Sequence, residues 1–310
     1  MKRTYMRHFM IVLAVLFLCA PAASALTIET HFIGGDAPDN LAGRGNLHDI
    51  VAAAARIWES VYADEVTLTL YYGWADTGNA GTHSLLTQGG IPNRELSGTI
   101  LFDDSGAASF YMDPTPYLNE EYSKLTEISQ DLGSGHVNAA RVFSNPGGEA
   151  AGHLDLLSVI LHEIGHALGM SAANHSFMEL AATGLLSISN DMPFKGTIIP
   201  LAYNNAGVVA HFDVDEIAYG SLMAGINADE RRIPSELDII ANAQLSNFTI
   251  LRLRAEQTSP SDDSDTPGNK LLTRNRESRA VPGSDRSTGA AKARGTRDGL
   301  IPIPMRPTAQ

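Results

Sequence analysis

The segment Leu161-His162-Glu163-Ile164-Gly165-His166-Ala167-Leu168-Gly169 constrains this chain more than any other stretch. Leu154, Leu157, Leu161, Ile164 and Leu168 recur at three- and four-residue steps, which predicts a helix over His153 to Leu168 with one apolar ridge. Gly169, the residue best suited to a left-handed turn, predicts its end. Residues four apart on a helix lie one turn above each other, so His162 and His166 present both imidazoles to one point. That is the spacing a single zinc ion takes. The helical period turns Glu163 about 100 degrees from His162, beside that point and not under it, where a base acting on a water belongs.

Two ligands are too few, because a catalytic zinc normally takes three protein groups and leaves a fourth position open. Cys19 is the only cysteine and lies in the leader described below, so the third donor is His, Asp or Glu. The segment resembles the metzincin metalloproteases, whose pattern is H-E-x-x-H-x-x-G-x-x-H followed by a methionine turn. The match holds through Gly169 and fails at Ala172, where the pattern has its third histidine. His175 stands three residues late and serves if the turn bulges. His211, in Val209-Ala210-His211-Phe212-Asp213, stands 12 residues before Met223 and is the favoured third ligand. That layout is similar to the leishmanolysin-type metzincins, in which an insertion separates the glycine from the third histidine. Glu179 would suit the gluzincin arrangement, which needs a second helix; Gly169 and the irregular run after it argue against that.

The resemblance implies an α+β zincin catalytic domain: a twisted sheet and the active-site helix in the N-terminal part, then an irregular C-terminal part with one terminal helix. It implies a secreted zinc endopeptidase acting on protein or peptide, with Glu163 as general base. Met223, in Gly220-Ser221-Leu222-Met223-Ala224-Gly225, matches the methionine turn and implies an apolar floor beneath the metal. A rim strand that aligns the substrate is expected at Gly98 to Asp104. Asp213 and Asp215 are candidate acceptors for an imidazole, with solvated carboxylates as the plainer reading. Two other functions stay open: a zinc-containing binding or adhesion protein without catalysis, and a zinc hydrolase of non-peptide amides.

Residues 1–25 read as an export signal, with basic Lys2, Arg3 and Arg7, an apolar run from Phe9 to about Ala20, and cleavage expected after Ala25. The apolar run is short for a membrane span, and none is expected in the mature chain. From Leu26 to Arg254 there are 10 Lys and Arg against 28 Asp and Glu, so the basic patch that nucleic acid requires is missing. From Ala255 the chain turns to Ser, Asp, Thr, Pro, Gly and Arg, which predicts a catalytic domain over 26–254 and a disordered tail over 255–310.

Periodicity predicts further elements: strands over Leu26 to Ile33 and Val66 to Trp74, and a helix from about Leu47 to Tyr62. Asp76 to Ser97, rich in Gly, Thr and Asn, reads as loop, and Gly98 to Asp104 as a short strand. One irregular helix and a short strand are expected between Asp113 and Arg141. Regularity is not expected again until Ser235, which can cap a last helix over Glu236 to Leu245.

Overall fold

Alternating β-branched residues near the N-terminus form β1 (Thr27–Gly34), and the apolar stripe that follows forms α1 (Leu47–Glu59). Leu47, Ile50, Val51, Ala54, Ile57 and Trp58 are all buried on α1, while the Asn46 side chain caps its start by accepting from the His48 amide at 2.8 Å. The chain returns parallel to β1 as β3 (Thr67–Ala75), so α1 is the crossover of a β-α-β unit. The two-residue β2 (Ala42–Gly43) lies between them. These elements come from a computed structural model, which describes residues 25–257 apart from 92, 190, 205, 206 and 218. The expected leader, up to residue 24, and the expected tail, from residue 258, lie outside the described residues.

The stretch predicted as loop from Asp76 to Ser97 is instead half of a hairpin, β4 (Gly81–Gly89) and β5 (Arg94–Asp103). With β1 and β3 they complete one twisted sheet in the order β1-β3-β5-β4, in which β4 alone runs antiparallel. Periodicity missed β4 because an edge strand keeps little apolar alternation, and here Thr82, His83, Ser84, Thr87 and Gln88 leave no stripe to read. Between Asp113 and Arg141 there is no helix. β6 (Phe110–Met112) is followed by β7 (Tyr122–Asp131) and β8 (His136–Pro146), a long hairpin whose first strand is mostly exposed.

After β9 (Leu154–Asp155) comes α2 (Leu156–Ala167), which starts later than the sequence predicts because Asp155 is its cap. The region beyond Gly169 is more regular than predicted: α3 (His175–Leu180), then a sheet of β10 (Leu185–Ser187), β11 (Ile198–Asn204) and β12 (Gly207–Phe212). A short 3-10 turn at Leu222–Ala224 and β13 (Glu230–Arg232) lead to α4 (Glu236–Ser246), capped by Ser235 as predicted. The architecture is mixed α+β. Among the described residues no helix is long and apolar enough to cross a membrane. The expected boundary at 254/255 falls inside docked chain, since Ala255 is buried and its carbonyl accepts from Arg141 at 2.9 Å.

One buried cation ties these parts together. Arg231 of β13 is wholly buried, pairs with Asp155 at 2.8 Å and Asp113 at 2.5 Å, and faces the Tyr122 ring. Asp155 meanwhile accepts from the Ser158 amide at 3.0 Å, capping α2. Removing one partner of such a network leaves an uncompensated buried charge. Arg231→Ala is therefore expected to destabilise the protein by about 3–5 kcal/mol in denaturant unfolding. A loss under about 1 kcal/mol would show that Asp155 and Asp113 do not depend on it.

Candidate metal centre

The helix predicted around His162 and His166 exists, and both rings project from one face of α2, as their spacing requires. What directs them is backbone. His162 Nδ1–H donates to the Leu222 carbonyl at 2.8 Å, and His166 Nδ1–H donates to the Met170 carbonyl at 2.5 Å. A carbonyl only accepts, so each Nδ1 must carry the ring's proton and each Nε2 is left with a bare lone pair. Those two Nε2 atoms lie 3.1 Å apart, and His211 Nε2 from β12 stands 3.0 Å from that of His162.

Two lone pairs facing each other at this distance repel unless a cation lies between them. A proton is a poor candidate, because burial, followed by the neighbouring His211, pushes the His162 pKa down to about 3. Burial also lowers His166, well below the usual imidazole range, and His211. All three are neutral imidazoles near pH 7, the form that ligates a metal. Their ligand atoms lie within 4.8 Å of one another, close enough to hold one ion.

Glu163 faces the same cleft, which has a volume of about 460 Å³. Only 6% exposed, its carboxyl is pushed up to about 8 by burial. Gly81 of β4 makes room for it: a Cβ there would stand 2.9 Å from the Glu163 carboxylate and from Val159. Residues 79 to 83 border the cleft consecutively, along the edge of β4 that β5 does not pair. The Gly98 to Asp104 stretch, expected as the rim strand, falls largely in β5, which is paired on both sides and has no free edge. His83 also lines the cleft and bonds the buried Glu95 at 2.8 Å.

Met223 is completely buried in the turn beneath α2. A Cβ on Gly165 would come within 2.4 Å of the Met223 sulfur, so the glycine between Glu163 and His166 allows the close approach. Asp238, at the third position of α4, accepts from the Leu222 and Met223 amides at 3.3 and 3.0 Å. It thereby holds the turn whose carbonyl orients His162. Gly169 ends the helix with φ of +142° and packs against Leu245 and Ser246, which lets the chain turn back so that the Met170 carbonyl reaches His166.

Of the candidate third ligands, the structure gathers His211 with the pair and leaves the others out. His175 opens α3 on the surface, where its amide donates to Gln88, and Glu179 is exposed on the same helix. Asp213 accepts from the Asp215 amide in its own turn and bonds no imidazole among the described residues. No protein-family model, curated protein or solved structure matches this chain. Sequence reasoning missed β4, the His83–Glu95 pair and Asp238. Only Asp238 had a readable signal, since Ser235-Glu236-Leu237-Asp238 is a capping box.

Two measurements test this centre. Metal content should fall from about one ion per chain to near none in His211→Ala and stay unchanged in His175→Ala; the reverse pattern would displace His211. The second concerns Glu163 in chelator-treated protein. A carboxyl whose pKa is raised in the folded state contributes stability at low pH that is lost as pH climbs from its ordinary 4.5 toward about 8. Glu163→Gln should therefore raise the melting temperature by several degrees at about pH 8.5 and barely change it at about pH 5.

Proposed function

We propose that this chain is a zinc-dependent endopeptidase of the metzincin type, with His162, His166 and His211 as ligands and Glu163 as general base. The observation that carries the reading is the convergence of imidazole lone pairs beside a buried carboxyl in an open cleft. The donor set fits zinc: neutral imidazoles, with no cysteine outside the expected leader. A zinc ion bound there supplies Lewis-acid polarisation of a carbonyl and acidifies water.

The remaining work falls to this chain's own groups. Glu163, a buried carboxyl beside the three imidazoles, is placed to take a proton from the attacking water and pass it to a leaving amine. The unpaired edge of β4 offers backbone donors and acceptors that suit an extended polypeptide, as in strand addition. This favours a peptide over a small amide as substrate. Carbonyl acceptors on both ligand histidines keep their Nε2 lone pairs aimed at the ion.

Met223 beneath Gly165 and the His211-Phe212 pair ahead of it support the leishmanolysin-like variant of the family. The basic and apolar start of the chain supports export, with cleavage after Ala25. Glu163→Gln should keep its metal and lose casein hydrolysis by at least about 100-fold. Retained activity in that variant would end the mechanism.

A further inference from the structure

A second cavity adjoins the metal cleft. It measures about 640 Å³ and lies between α3 and β12, with Phe177, Met178 and Ala181 on one wall and Val208 and Val209 on the other. Ala172, Ala210 and His211 border both cavities, so the two adjoin. Gly207 to His211, five consecutive residues of β12, all line it. Successive side chains of a strand point to opposite faces, so a cavity that touches all five runs along the strand's edge. The opposite edge pairs with β11 at Gly207, Val208 and Phe212, with the register broken over Val209 to His211, and β12 ends its sheet. Among the described residues, no hydrogen bond outside the β11 ladder reaches the backbone of Gly207 to His211.

We propose that this groove is a specificity subsite for an extended peptide, which pairs with the free edge of β12 and lodges one large apolar side chain against Met178, Val208 and Val209. The inference rests on the peptidase reading and names its preferred substrates. Phe177 and Ala181 are buried and back the wall, while Met178, 54% exposed, presents its side chain to the groove. The wall is apolar and the edge polar, the pairing that strand addition uses: main-chain bonds for affinity, a pocket for choice of side chain. β12 leads directly to the ligand His211. At about 3.3 Å per residue, the preferred side chain lies within about four residues of the scissile bond.

The test uses the full chain carrying Glu163→Gln, so that binding is read apart from turnover. Fluorescent decapeptides with a single Leu or Phe moved along an Ala and Ser background would be titrated by anisotropy. We expect binding to be about tenfold tighter when the apolar residue occupies one particular position. N-methylation of the peptide backbone beside that residue should weaken binding. Adding Met178→Lys or Ala172→Trp, both at exposed positions, should bring the preference close to one. An equal affinity for all peptides, or a preference untouched by both substitutions, overturns the subsite. If the parent protein fails to cleave peptides that the variant binds with this preference, the peptidase reading falls and the groove stands.

Discussion

Two backbone carbonyls, those of Leu222 and Met170, decide the chemistry of this molecule. By accepting from the Nδ1 of His162 and His166 they force both Nε2 lone pairs inward, toward each other and His211. Burial keeps a proton from relieving that repulsion, and the three ligand atoms lie close enough together to hold a metal ion. Much of the surrounding structure serves to keep those carbonyls in place. Asp238 anchors the Leu222 turn, Arg232 bonds the carbonyls of Ser221 and Gly225 around it, and Gly169 folds the chain back to bring Met170 under its histidine.

These anchors are charged and buried, which is costly unless every group finds a partner. Arg231 satisfies two carboxylates, one of which starts the helix that carries His162, Glu163 and His166. Asp238 accepts from four groups, the two turn amides and the amide and hydroxyl of its own cap, Ser235. The same residues therefore bear on stability and on the aim of the imidazoles. Apolar packing of Met223 against Gly165 closes the underside without adding a polar group to the three imidazoles.

The stretch between Gly169 and His211 does two things at once. Its strands return the third imidazole to a helix that the chain left some forty residues earlier, and its last strand leaves one edge unpaired beside an apolar wall. Among the described residues, the cleft is thus bordered by two strands that end their sheets, β4 and β12. An extended chain is the ligand shape such edges accept.

How much of this was legible follows from which interactions are local. The α2 helix, the shared face of His162 and His166, the place of Glu163, the separate elements β1, α1 and β3 and the Ser235 cap depend on contacts within a few residues, so period and capping residues sufficed to predict them, whereas the parallel pairing of β1 with β3 did not show. Which histidine joins the His162–His166 pair, His211 or His175, could be ranked from the sequence but not decided, because that depends on where a long stretch of chain returns. β4 and β7 were unreadable, since edge strands are defined by their partners and carry little apolar alternation. The two orienting carbonyls, the Gly81 approach to Glu163 and the free edge of β12 leave no mark on side-chain identity. They are backbone and space, which only the tertiary structure assigns.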